Sequence, residues 1–335
     1  MQEAMFYHKV AGNAVECNLC PHNCRIREGK PGICKVRFNF GGELVTMAYN
    51  QVAAIHVDPI EKKPLYHFYP GKNILSIGET GCNFQCSFCQ NYSISQCSPE
   101  NFSGFVNLSS AQIIEKAVNL TDNIGIAYTY NEPFTFYEFM FDCAKLAHSR
   151  GLLNVVVSNG FVNSEPLKKI LPFIDAFNID LKAFNNEFYK KLVKGKLQPV
   201  LESLKIIAHS GKHLEITNLV IPDKNDNITE FEEMVKWISD EAGPDRPLHL
   251  SRYYPAFKMD TPPTPSHSLE KFYNIASRHL NYVYLGNVAD PERSSTYCPR
   301  CSALLIKRDH YTPILNIKGK SCPECGYPVN IIMNT

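Results

Sequence analysis

The sequence predicts an α/β chain: an incomplete (β/α)6 barrel over residues 71–290, with a cysteine-rich module over 1–70 and a second cysteine module over 291–335. Three observations carry this. From about Lys72 onward, short runs rich in Val, Ile and Leu alternate with amphipathic stretches, as in parallel strands buried on both faces. Eleven of the thirteen cysteines fall into three spaced groups, leaving Cys97 and Cys143 apart. Pro21, Gly29, Pro31 and Gly32 in the first module, and the break at Ala289-Asp-Pro-Glu-Arg293 before the last, interrupt regular structure at both ends.

Composition narrows the function classes. With 34 Lys plus Arg against 33 Asp plus Glu, no overall charge favours nucleic acid or an anionic membrane. No apolar run reaches membrane-spanning length, and the first residues lack a secretory pattern. Clustered cysteines favour metals in a reducing compartment over disulfides, so a cytoplasmic location is expected.

In chain order, Cys17, Cys20, Cys24 and Cys34 open the first module with C-x2-C-x3-C-x9-C spacing. Four thiolates suit a structural zinc or an auxiliary [4Fe–4S] cluster, with His22 as a substitute ligand. Val36–Phe40 and Leu44–Ala48 form a hairpin about Gly41-Gly42. Between Asp58 and His67, Lys62, Lys63, Tyr66 and His67 either line a substrate mouth or contact a partner, or form a connector with solvated charges.

Ile74–Ile77 is the first barrel strand, and Cys82, Cys86 and Cys89 follow it at C-x3-C-x2-C spacing. Three thiolates can bind three irons of a cubane [4Fe–4S] cluster and leave the fourth open to a substrate or cofactor. Phe88 gives such a cluster a dry face. The alternative is zinc completed by a distant ligand. Further strands are expected at Gly125–Tyr130, Leu153–Ser158, Ala176–Leu181, Leu214–Ile221 and Leu248–Tyr253, with Asn281–Val288 as an addition. Helices are expected at Ala111–Asn119, Phe134–Ser149, Glu187–His209 and Phe231–Glu241. In β/α barrels chemistry sits at the C-terminal strand ends, which here carry Asn131 and Glu132, then Ser158 and Asn159, then Asp180 and Lys182. Alternation puts Asp180 and Lys182 on one face, where burial of both charges calls for a polar ligand. Glu215, Asn218 and His249 are further site candidates, or satisfied core residues. No single residue is assigned as catalytic.

The last module carries Cys298, Cys301, Cys322 and Cys325 as two C-x2-C pairs 20 residues apart. Ile306–Arg308 and Ile314–Ile317 supply a hairpin, which suits a zinc ribbon or a rubredoxin-like iron site. Cys143 lies in a helical run and reads as a small buried hydrophobe.

The run Glu79-Thr-Gly-Cys-Asn-Phe-Gln-Cys-Ser-Phe-Cys-Gln90 resembles the signature of the radical S-adenosylmethionine (SAM) superfamily. Together with Cys17–Cys24, His56–Phe68, Tyr128–Pro133, Asn178–Lys182 and the terminal cysteine pairs, it makes the chain similar to AmmeMemoRadiSam system radical SAM enzymes, relatives of pyruvate formate-lyase activating enzymes. The resemblance implies a radical SAM barrel. It also implies a [4Fe–4S] cluster whose open iron binds SAM and reductively cleaves it to methionine and a 5′-deoxyadenosyl radical that takes hydrogen from a protein or small-molecule substrate. Glu132 then matches the acidic position of a Gly-Gly-Glu motif whose glycines are Tyr130 and Asn131 here. Ser158 and Asn159 match a Thr-Asn-Gly, and Asp180 and Lys182 an Asp-x-Lys. Implied partners are Ammecr- and Memo-type proteins or another protein substrate, and an external one-electron donor such as flavodoxin or ferredoxin. A glycyl-radical-enzyme activase would take its hydrogen from a partner's backbone glycine, yet Tyr254 stands where activases commonly carry His. The other classes are a non-catalytic iron–sulfur electron carrier or redox sensor, and a zinc-organised adaptor.

Overall fold

The computed structural model describes residues 1–309 and 311–333. At its centre lies an eight-stranded sheet of β1 (Ala54–Pro59), β2 (Asn73–Gly78), β3 (Asn123–Tyr128), β4 (Leu153–Ser158), β5 (Ala176–Asp180), β6 (His213–Val220), β7 (Leu248–Arg252) and β8 (Val283–Gly286). The strands lie side by side in chain order. β1 pairs antiparallel with β2, and every later pair is parallel. Connecting helices include α1 (Ser110–Val118), α2 (Tyr137–Ser149), α3 (Ser164–Ile170), α4 (Gln198–Ala208), α5 (Ile228–Ala242) and α6 (Ser266–Ala276).

Alternation along the strands explains why both faces are apolar. Ile126, Val156, Phe177 and Ile216 pack into the large core beneath the helices. Their neighbours Ala127, Val155 and Ala176 turn the other way, onto Ile60, Leu65 and Phe68. The segment after β1 therefore plugs the inner face of the sheet. Small side chains on these strands leave room for it.

Two expectations are corrected. The single helix expected over Glu187–His209 is broken: a π-helical turn, Tyr189–Val193, ends at Lys194 with φ 62°, and α4 begins only at Gln198. Pro199 starts the new helix, where its missing N–H costs nothing. Gly195 lets the broken segment press on the cysteine loop, since a Cβ there would stand 2.3 Å from the Phe84 ring. Backbone bonds from Gln85 N to Val193 O (2.9 Å) and Ser87 N to Leu192 O (3.0 Å) complete this contact. Second, the sheet begins before residue 71, because Ala54–Pro59 adds an edge strand that ends, as edge strands can, on a proline.

The expected N-terminal hairpin forms from Arg37–Phe40 and Glu43–Thr46, and Ala14–Cys17 pairs with both Tyr7–Val10 and Arg25–Ile26. The module is fastened to α2 by Glu138, whose Oε1 accepts from Met5 N at 2.6 Å and from the buried Arg37 Nη2 at 2.5 Å. At the other end, Leu304–Asp309 pairs antiparallel with Thr312–Leu315. Arg308, fully buried, donates to Tyr66 O at 2.6 Å and to Thr296 Oγ1 at 2.7 Å, tying this module to the plug. Among the described residues no helix is long and apolar enough to cross a membrane.

Candidate functional site

The cysteine loop leaves the C-terminal end of β2 and is held from three sides. Asn131, just after β3, donates through Nδ2 to Gly81 O (2.8 Å) and Thr80 O (3.2 Å), and its Oδ1 accepts from Glu79 N (3.3 Å). Gly81, with φ +84°, permits the approach of the N-terminal module, since a Cβ there would lie 2.5 Å from Cys34 O. Asn83 donates to Phe161 O (2.7 Å), and its Oδ1 accepts from Asn159 Nδ2 (2.8 Å). The Asn83 carbonyl meets a ring nitrogen of His22 at 2.8 Å.

Cys82, Cys86 and Cys89 all face one cavity of about 440 Å³, within the usual range for small-molecule sites. Burial pushes the Cys86 thiol up to about 12 and the Cys82 thiol well above its ordinary value, the latter reinforced by Glu132. Cys82 and Cys86 therefore resist ionisation, a cost that a metal binding the sulfurs as thiolates offsets. Phe84 N donates to Cys82 Sγ at 3.3 Å, and Cys89 Sγ lies 3.1 Å from Ser95 Oγ. Phe88 is buried on the same wall.

Opposite the sulfurs, the strand ends bring Asn131, Glu132, Ser158, Asn159, Asp180 and Lys182 to this same cavity. The Glu132 carboxylate accepts from Ser158 Oγ (2.8 Å) and Phe134 N (3.1 Å) on Oε1, and from Asn159 N (2.9 Å) on Oε2. Burial outweighs these bonds and raises its pKa to about 7. Oε1 has both lone pairs engaged and Oε2 keeps one, so a cation reaching Oε2 would offset the burial of this carboxylate. Asp180 and Lys182 pair at 2.9 Å. Burial opposes the Lys182 charge, but Asp180 and the nearby Cys86 outweigh it and hold the ammonium protonated.

Several cavity residues have no clear sequence motif. Asp58, at the end of β1, accepts from Lys63 (2.7 Å), Lys62 (3.2 Å) and Tyr130 Oη (2.6 Å), and all four line the cavity. The sequence leaves Lys62 and Lys63 open between a substrate mouth, a partner contact and a connector with solvated charges, and marks Tyr130 only by the glycine it replaces. Thr217, Leu219, Ser251 and Asn287 complete the wall; strand alternation was the one signal that could have found the first three.

Other candidates lie elsewhere. Glu215 and His249 share the inner face with Thr217 and Ser251 but sit a layer deeper. There the Glu215 carboxylate meets His249 (2.6 Å) and His213 (2.9 Å) and accepts from the backbone of Tyr66 (3.0 Å) and His67 (2.7 Å). Of this set Tyr66 and His249 also line a neighbouring cavity, which shares Lys62, Ser251 and Asn287 with the first. Asn218 faces outward and donates to Leu181 O at 2.7 Å. Tyr66 and His67 belong to the plug, and Tyr254 lines a neighbouring cavity of about 570 Å³.

Cys17, Cys20, Cys24 and Cys34 surround a small cavity with Arg37 and Asn83. Burial raises Cys34 to about 11. Two nitrogens of buried Arg37, Nε and Nη1, have no partner among the described residues, so a positive charge faces a group that turns negative when the thiols bind metal. In the last module the four sulfurs of Cys298, Cys301, Cys322 and Cys325 lie within 4.8 Å of one another, with two contacts of 3.6 Å, spacings that suit one tetrahedral ion. Cys143 is fully buried in α2.

Residues 78–238 match the radical SAM superfamily. An uncharacterized protein of Methanocaldococcus jannaschii is 44% identical over 338 residues, covering 99% of this chain and 100% of that protein. The (2S)-3-sulfopropanediol dehydratase activating enzyme of Klebsiella oxytoca is 24% identical over 119 residues, which span 36% of this chain and 38% of that enzyme. A radical SAM methyltransferase from Sphaerobacter thermophilus shares the fold, with a TM-score of 0.50 and 16% identity over 73% of this chain and 71% of the methyltransferase.

Proposed function

The chain belongs to the radical SAM superfamily, and from that premise we propose that Cys82, Cys86 and Cys89 hold a [4Fe–4S] cluster whose open iron faces SAM in the 440 Å³ cavity. The observation that carries the reading is the convergence of three sulfurs and six strand-end polar residues on one cavity. When bound, the cluster and SAM supply reductive cleavage to a 5′-deoxyadenosyl radical, which takes hydrogen from the substrate.

The chain's own part is positioning and exclusion of water. Glu132 is set to accept from the SAM ammonium, with Ser158, Asn159 and Phe134 fixing its oxygens. Asn131 works through the backbone of the cysteine loop, keeping three ligands in register. Asp180 and Lys182 place a protonated ammonium beside Cys86, where it moderates the charge of the thiolates. Glu215, bonded to His213, His249 and the backbone of the plug, fixes the inner face of the sheet on which the cavity is built.

The strands are the wall of an incomplete radical SAM barrel in this reading. The N-terminal cysteines hold zinc or a second [4Fe–4S] cluster, and the C-terminal ones zinc or a single iron in a ribbon. A protein or small-molecule substrate, an Ammecr- or Memo-type partner and a flavodoxin or ferredoxin donor complete it, in the cytoplasm. The similarity to an activating enzyme supports a second reading, activation of a glycyl-radical enzyme. The test is anaerobic reconstitution with iron and sulfide, then reduction with dithionite in the presence of SAM. The proposal expects 5′-deoxyadenosine from the wild type and none from Cys86→Ala; a wild type that makes none overturns it.

A further inference from the structure

The cysteine loop has two faces. Cys82, Cys86 and Cys89 look into the 440 Å³ cavity, while Gln85, Ser87 and Gln96 line a separate outer groove of about 950 Å³. The loop that carries the three sulfurs is thus a wall common to the cavity and the groove. Lys258 N donates to Ser87 O at 2.9 Å, so the groove's far wall is joined to the loop itself.

The groove is basic on a chain that is not. Lys35, Lys191, Lys194 and Lys258 line it, with Glu100 as its acidic residue, whereas the whole chain carries a net charge of only +1. All four lysines are exposed. Lys35 donates to Gln96 O at 2.6 Å and keeps its charge toward solvent. Lys191 shares a solvent-exposed ion pair with Glu187 at 3.1 Å, a contact weak enough to be exchanged for a partner's carboxylate. Between the lysines, Tyr92 and Phe257 stack at 4.8 Å while 46% and 38% exposed, an aromatic pair available to a protein interface.

We propose that this groove docks an acidic one-electron carrier protein, a flavodoxin or ferredoxin, and that the carrier reduces the metal group behind the loop. The inference rests on the cluster reading given above. One electron leaves the reduced carrier and enters the cluster, and no bond or proton changes at the groove. Charge complementarity selects the class of partner and speeds encounter. The shared loop explains why the complementary patch lies here: electron transfer needs close approach, not entry into the cavity.

The test uses the Lys194→Glu/Lys258→Glu double variant, with Lys168→Glu/Lys271→Glu, two exposed positions on α3 and α6 outside the groove, as a charge-matched control. Binding of an acidic flavodoxin and of an acidic ferredoxin is titrated separately at low salt. At least one carrier is expected to bind the wild type and the control, more weakly as salt rises, and to bind the double variant at least tenfold more weakly. Deoxyadenosine formation driven by that reduced carrier falls at least tenfold in the double variant, while dithionite-driven formation is unchanged, which also shows that the variant is folded. Equal carrier binding by all three proteins, binding of neither carrier, or a groove-dependent preference for transfer RNA over both carriers overturns the proposal. Absence of dithionite-driven product in the wild type would instead count against the cluster reading, and the titrations would still decide the docking surface.

Discussion

Ser158 Oγ donates to Glu132 Oε1 across 2.8 Å, so the carboxylate that leaves β3 is held by the residue that ends β4. Asn159, next in the chain, completes the grip from its backbone at 2.9 Å and reaches back with its side chain to Asn83 in the cysteine loop. Acidic position, strand end and metal loop are thus one hydrogen-bonded unit.

Ser158→Ala removes one donor from a buried carboxylate. A hydrogen bond to a charged group contributes roughly 1.5–3 kcal/mol. SAM affinity, measured by equilibrium dialysis of the reconstituted protein, is expected to fall about tenfold or more, with iron content unchanged. An equal affinity would show that the Glu132 carboxylate is not aimed at the ligand.

Asp58 holds the cavity rim together. Burial pushes its carboxyl up, but Lys63, Tyr130 and Lys62 outweigh this and hold it well below its ordinary value of 3.8. The stability it contributes is therefore complete above that value and is lost as pH falls through the lower folded one. Asp58→Asn leaves Lys63, whose side chain is 3% exposed, without its counter-charge. Loss of a partner from a buried pair costs about 3 kcal/mol or more. Denaturant unfolding at pH 7 should show that loss, and the wild-type advantage should shrink toward pH 3.

Glu79 gives the opposite sign. Its carboxyl oxygens are buried without a hydrogen-bond partner among the described residues. Burial, with Glu138 nearby, holds its pKa well above the ordinary 4.5. The stability of the neutral form is whole below pH 4.5 and erodes as pH rises toward the folded value. Glu79→Met removes the partnerless carboxyl, so thermal unfolding should shift upward at pH 8, by about 1 kcal/mol or more, and much less at pH 4. A destabilised variant at pH 8 would mean that the carboxylate is used.

The sequence made parts of this arrangement legible for local reasons. Cysteine spacing is a property of a few consecutive residues, and strand alternation fixes the face that Asp180 and Lys182 share. The seven later strands of the sheet were therefore located, and the polar residues at their ends proved to meet in space. Depth was not legible. Glu215 and Thr217 have the same parity, and only the plug from residue 60 to 68 decides that the first is bonded to its backbone and the second lines the cavity. Nor was the Asp58–Tyr130 bond, which joins residues 72 apart through an unforeseen edge strand. The break at Lys194 depends on Gly195 meeting Phe84, a contact that no helical periodicity reveals.

Each outer cysteine group makes its own prediction of metal content. Cys298→Ala should remove one zinc or one iron per chain and lower the melting temperature, since the module ties to the plug through Arg308. Cys20→Ala should remove either one zinc or about four irons, and elemental analysis of the reconstituted variants distinguishes these outcomes. Unchanged metal content in both variants would contradict metal binding at either end.

The central claim is that the open iron of a Cys82–Cys86–Cys89 cluster faces SAM. The most direct measurement is electron paramagnetic resonance of the anaerobically reduced protein, with and without SAM, using Cys82→Ala as the control. The account predicts a reduced-cluster signal whose shape changes when SAM is added, with that SAM-dependent signal absent from the variant. A wild-type signal indifferent to SAM would contradict it and favour an electron carrier or sensor.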